Sequence, residues 1–228
     1  MVTNPLSNAP VVIMAGGKGV RMRPYTNVIP KPLLICGSDT MIENVINLFA
    51  EYGFHRFYFV LCHRKELITA YLQSLDLPFD MQYIYEETPL GTAGGLKLLE
   101  NELDGDFILC NCDNLGKFDY ASLLKQHAEC RADITILVKK HTHTIPFGIV
   151  RGSDTGKVYS IIEKPDVSFF ISTGIHIVNP AVLSLIKQGT RLDMPELINT
   201  ASEKMNVRMV DIGNAEWIDM SVAQHEQD

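Results

Sequence analysis

The chain has 228 residues, 46% hydrophobic and 21% charged, enough apolar material to bury a sizeable core as one compact unit. Its 27 Asp and Glu against 20 Lys and Arg leave a formal charge of -7, with the basic residues scattered rather than striped, which argues against a polynucleotide partner. No run approaches the ~20 apolar residues of a membrane span, residues 1–10 lack the basic and apolar regions of a secretion signal, and five cysteines without a C-x-x-C pair read as reduced thiols of a cytoplasmic protein.

Strand-like and helix-like segments alternate through the first two thirds, which predicts an α/β domain around a mixed, mostly parallel sheet flanked by helices. Residues 11–15 (VVIMA) are a continuous apolar run stopping at Gly16-Gly17, as a doubly buried first strand entering a tight turn should. Residues 40–52 carry Met41, Val45, Leu48 and Phe49 at helical spacing before Gly53, and residues 56–62 read as the second strand. A helix over 66–75, a strand over 81–85 and a helix over 91–102 follow. The buried-strand run at 107–110 (FILC) delivers Asp113 just past its carboxyl end, where open α/β sheets place their ligands. A helix over 120–130 and a strand over 134–138 complete this part. From about His141 the pattern shortens to strands at 148–151, 157–162 and 172–178, then helices at 181–187 and 195–203. The whole of 1–228 is expected to be one domain, with residues 141–228 forming the far wall of a cleft. His141 and His143 are expected in a polar turn before Pro146, and Trp217 as a packing residue.

The strongest chemical signal lies directly after the first strand: Ala15-Gly16-Gly17-Lys18-Gly19-Val20-Arg21, then Pro24, then Pro30-Lys31-Pro32. Glycines let backbone N–H groups approach phosphate oxygens, and Arg21 and Lys31 can supply cations to a triphosphate. The spacing fits neither the P-loop nor the dinucleotide fingerprint.

G-G-x-G-x-R followed by P-K-P resembles the signature of the sugar-phosphate nucleotidylyltransferases. The resemblance continues in order through Pro89-Leu90-Gly91-Thr92-Ala93-Gly94, Asn111-Cys112-Asp113, Pro146-Phe147-Gly148, Glu163-Lys164-Pro165, Thr173-Gly174 and Trp217-Ile218-Asp219. It implies a single Rossmann-like domain whose residues 1–140 bind nucleotide and whose residues 141–228 bind sugar phosphate. By that resemblance Ala15, Gly16, Gly17, Gly19 and Arg21 hold the nucleotide with Gly91, Thr92 and Asn111. Lys31 stabilises the reacting α-phosphate and the departing pyrophosphate. Asp113 and Asp219 bind Mg²⁺, a hard cation that shares its shell with phosphates and water. Glu163 contacts sugar hydroxyls and Lys164 the sugar phosphate, with Gly148, Thr173 and Gly174 lining the pocket.

The implied partners are a nucleoside triphosphate and a sugar 1-phosphate, with no nucleic acid and no membrane; a homo-oligomer stays open. Glu86 stands three residues before Pro89, where bacterial guanylyl-transferring members often carry an acid. A carboxylate can accept from both N1–H and the amino group of guanine, so GTP is favoured over CTP, UTP and ATP. Val20 replaces the usual Thr or Ser before the arginine, Ser172 the usual Asn, and Met220-Ser221 the usual Ile-Gly after Asp219. Two rival readings are a glycosyltransferase of the related nucleotide-sugar fold, which would need an Asp-x-Asp motif where this chain has Asn111-Cys112-Asp113, and an idle nucleotide sensor, which would not need this set of cations.

Overall fold

The computed structural model describes residues 9–223. Seven strands form the main sheet: β1 (Val11–Met14), β4 (Arg56–Leu61), β5 (Asp80–Tyr85), β6 (Phe107–Asn111), β8 (Ile134–Thr144), β11 (Asp166–Val178) and β12 (Val207–Asp211). Smaller two-stranded ribbons pair β2 (Ile35–Cys36) with β3 (Asp39–Thr40), β7 (Asn114–Gly116) with β13 (Trp217–Asp219), and β9 (Ile149–Gly152) with β10 (Val158–Ile162). The helices are α1 (Met41–Glu51), α2 (Lys65–Ser74), α3 (Tyr120–Glu129), α4 (Met194–Lys204) and the short α5 (Met220–Ala223).

The main sheet runs β12-β8-β11-β6-β1-β4-β5, parallel throughout except at β11, which is antiparallel to both its neighbours. Strand alternation sends Val11 and Ile13 into one core and Val12 into the other, and it does the same for Phe57 and Phe59 against Tyr58 and Val60. Both faces are therefore covered, which explains why the central strands are apolar runs rather than alternating ones. Helices α1, α2 and α3 cover the first face, contributing Val45, Phe49, Ile68 and Tyr120. On the other face lie α4 and two 3-10 turns, Gly94–Leu99 and Pro180–Leu185.

Helix α1 begins where its chemistry says it should. Thr40 accepts from Glu43 N–H at 3.3 Å while Glu43 reaches back to Thr40 N–H at 3.0 Å, a reciprocal cap. Its buried stripe of Met41, Ile42, Val45, Ile46 and Phe49 stabilises the domain by about 1.5–3 kcal/mol per large side chain.

Several expectations change. The segment 91–102 is a turn followed by a 3-10 segment, because Gly91 is left-handed (φ 82°) and Gly94 is pressed against the Thr190 carbonyl, so no α-helical turn starts there. The segment 181–187 is likewise a 3-10 turn, Pro180–Leu185, capped by Asn179. Strand β8 continues six residues past Val138, and β11 starts six before Ser172. His141 and His143 thus lie on a strand, opposite Phe169 and Val167, and not in a turn. Residues 139–144 (KKHTHT) carry no hydrophobic signal, and residues 166–171 (DVSFFI) are apolar on both faces, so the pairing of the two follows from long-range contact and not from local pattern.

Candidate active site

The chain leaves β1 for β4 and β5 on one side, then crosses back to β6 on the other. This leaves a crevice at the carboxyl ends of β1 and β6, the switch point at which open α/β sheets bind ligands. Met14 and Asn111 are register partners, so the glycine turn and Asp113 emerge side by side. The cavity there measures about 480 Å³.

Gly16, Gly17, Gly19 and Arg21 line one wall. Ala15 is buried beneath them, its N–H donating to the Val60 carbonyl at 2.9 Å. Lys31, on the 3-10 turn Lys31–Leu33, crosses the cavity and pairs with the Asp113 carboxylate. That carboxylate is almost wholly buried, and the Ser221 hydroxyl donates to the same oxygen. Asp219 enters the cavity from β13, where it is the register partner of Asn114, one residue beyond Asp113. Its Oδ1 accepts from Ser221 N–H at 2.9 Å. The Asp113 carbonyl in turn accepts from Met220 N–H at 2.8 Å, so the two aspartates are tied through a single turn.

Glu86 is buried at the end of β5 and reaches the same cavity. Burial pushes its carboxyl above the usual range, opposed by the Leu90 N–H, which donates at 3.3 Å, and by the Cys62 thiol. Gly95 is required behind it: a Cβ there would stand 2.1 Å from Glu86 Oε1. Gly91 and Thr92 also line the cavity, but the Thr92 hydroxyl is engaged, accepting from Met194 N–H at 2.7 Å. Asp193 accepts from Thr92 N–H and from Arg191, each at 3.0 Å, strapping the glycine-rich loop to the start of α4.

Asn111 lines the cavity floor, and Gly174 abuts it. With φ 75° and a Cβ position only 2.2 Å from Asn114 Nδ2, residue 174 has room for glycine alone. Thr173 is fully buried, its hydroxyl donating to the Leu137 carbonyl and its own carbonyl accepting from Trp217 Nε1, each at 2.9 Å. Trp217 packs against the core, as expected of it.

Gly148, Glu163 and Lys164 stand apart from this cavity, on the β9–β10 hairpin and the turn after it. Glu163 lies over Gly148, with its Oε2 2.9 Å from the Cβ position, and Lys164 is left-handed (φ 44°), an uncommon state for a lysine. The structure thus gathers most of the residues expected at the nucleotide and both aspartates around one cavity, and leaves Gly148, Glu163 and Lys164, as well as Thr173 and Gly174, off its lining. Sequence reasoning missed Ser221, Arg191 and Asp193. Ser221 was legible only as a departure from the family pattern, whereas Asp193 heads a visible D-x-x-E cap.

A uridylyltransferase from Synechocystis sp., named for UTP and glucose 1-phosphate, is 30% identical over 92% of this chain and 59% of its own length. A mannose-1-phosphate guanyltransferase from Yarrowia lipolytica is 34% identical over 77% of this chain and 50% of its own. The chain spans between 50% and 59% of the length of these curated relatives. The crystal structure of HddC from Yersinia pseudotuberculosis complexed with GMP-PN shares the fold, with a TM-score of 0.74 at 20% identity over 95% of each chain. A family model described as nucleotidyl transferase matches residues 10–222, spanning the glycine turn, both cations and both aspartates, and the chain belongs to that family.

Proposed function

We propose that this chain transfers a nucleoside monophosphate from a nucleoside triphosphate, GTP foremost, to a sugar 1-phosphate. An oxygen of the sugar phosphate attacks the α-phosphorus in line, the new P–O bond forms as the bond to the departing pyrophosphate breaks, and an NDP-sugar is left. The observation that carries this reading is one cavity shared by the Gly16–Gly17 turn, Arg21, Lys31, Asp113 and Asp219. Two anions must meet there, so the cations of Arg21 and Lys31 offset charge that grows on the leaving group, and positioning does the rest without an enzyme nucleophile.

Asp113 and Asp219 would hold Mg²⁺. Two hard carboxylates facing one cavity suit an ion that keeps waters and substrate phosphates as its other ligands, and no third His, Cys, Asp or Glu joins them among the described residues. When bound, the ion would act as a Lewis acid on phosphate oxygens. Lys31 holds Asp113 in its present position and is the group that would shift toward phosphate as substrate enters.

Residues 1–140 would serve the nucleotide and 141–228 the sugar phosphate. Glu86, at the base of the cavity, would read guanine through N1–H and the amino group. Relatives named as mannose-1-phosphate guanylyltransferases support GTP, while the uridylyltransferase keeps UTP as the main competitor. The test is pyrophosphate release with four ribonucleotides and dTTP crossed against a panel of sugar 1-phosphates. Release is expected only when both substrates are present, fastest with GTP. Glu86→Gln, which presents a donor where guanine also donates, should lower kcat/KM for GTP at least ~10-fold more than for UTP, about one lost hydrogen bond to a charged group. Nucleotide hydrolysis without sugar phosphate, or no turnover with any pair, would overturn the assignment.

A further inference from the structure

Residues 139–171 form an arm with almost no partner of its own. Beyond Val138 the β8–β11 ribbon loses both neighbours, since β12 reaches only to the Asp211–Val138 pair and β6 pairs only Ile175–Val178. Ile145 N–H donates to the Pro165 carbonyl at 3.0 Å, which carries the ribbon outward to the β9–β10 hairpin at its tip. No residue from Lys139 to Ser172 is buried.

Nine large apolar side chains of this arm are nonetheless exposed, among them Phe147 at 72%, Ile161 at 66% and Tyr159 at 64%. Three of them, Val167, Phe169 and Phe170, lie on β11. A two-stranded ribbon alone in water is marginal.

The edges of the ribbon identify what would cover it. Strand β8 offers Lys139 and Lys140, charged side chains of the kind that protect an edge strand. The outer edge of β11 is different. Val167-Ser168-Phe169-Phe170-Ile171-Ser172 has no charge, glycine or proline, the devices that normally protect an edge strand. Turned antiparallel about Phe169, the run sets Val167 against Ile171 and Phe169 against its own copy, a β-branched and an aromatic pair of the kind that stabilise sheets, with Ser168 beside Phe170.

We infer that two copies of this chain dock through these β11 edges, antiparallel, with Phe169 on the two-fold axis. The contact is isologous and closes on itself. Glu163 and Lys164 lie within the arm, so docking also fixes the segment that would complete the sugar-phosphate side of the cleft.

Sedimentation of the full chain at micromolar concentration tests this, with three variants whose fold is verified by circular dichroism. The parent should sediment at twice the 25.5 kDa chain mass. Phe169→Glu, at a site 45% exposed in the single chain, should weaken association at least ~30-fold, the scale of a lost interface hot spot. In a Cys130→Ser background, Phe169→Cys should form an intermolecular disulfide on oxidation, because residues directly opposed across an antiparallel pair lie within bonding reach. Ser168→Cys, displaced from its own copy by two residues, should not. A monomeric parent, a dimer indifferent to Phe169→Glu, or Ser168→Cys linking as readily as Phe169→Cys would each overturn the inference.

Discussion

Ser221 does two jobs with one residue: its hydroxyl donates to Asp113 and its N–H to Asp219, so the two carboxylates are held by a shared clamp before any ligand arrives. His176 shows the opposite case, a polar group with nothing to hold. It lies in the middle of the sheet between Leu109 and Ile136, buried, with Nδ1 unpartnered, and burial depresses its pKa to about 4. The unfolded chain takes up this proton near ~6.5. The contribution of His176 to stability is therefore intact above that value and is lost as pH falls toward about 4, a change of roughly 3 kcal/mol. His176→Leu should flatten the acid limb of a plot of urea midpoint against pH between those values. A variant that loses stability as steeply as the parent across that window would show that another group titrates.

At the scale of elements, caps and close approaches set the positions of the functional loops. The Thr40–Glu43 cap also receives the Tyr71 hydroxyl at 2.6 Å, joining the start of α1 to α2. Thr40→Ala should cost about 1 kcal/mol, read as a shift in urea midpoint at unchanged slope; no shift would mean that the helix start is held by packing alone. The apolar runs of β1 and β6 and the stripe of α1 were legible in sequence, because each rests on local periodicity. The ribbon β7–β13, which carries Asn114 and Asp219, was not: its strands are three residues long and a hundred apart, so their pairing leaves no local pattern. The helix expected over 91–102 is instead the 3-10 segment Gly94–Leu99, because the contact of Gly94 with the Thr190 carbonyl is tertiary and leaves no local pattern.

At the scale of the whole molecule, a doubly covered sheet gathers the glycine turn, Arg21, Lys31 and both aspartates at one switch point and carries Gly148, Glu163 and Lys164 on an exposed arm. The gathering of the glycine turn and Asp113 was legible because both follow buried strands closely; the placement of the arm depends on long-range pairing that sequence spacing does not reveal. The central claim is that the Lys31 and Arg21 cations and the Asp113 carboxylate act on one triphosphate. It is tested most directly by pyrophosphate release from the preferred substrate pair with Asp113→Asn, a change that keeps the shape of the side chain and removes its charge. The expected result is a fall in kcat of at least ~10²-fold, the scale of losing one preorganised transition-state group. An Asp113→Asn protein that turns over as fast as the parent would contradict it.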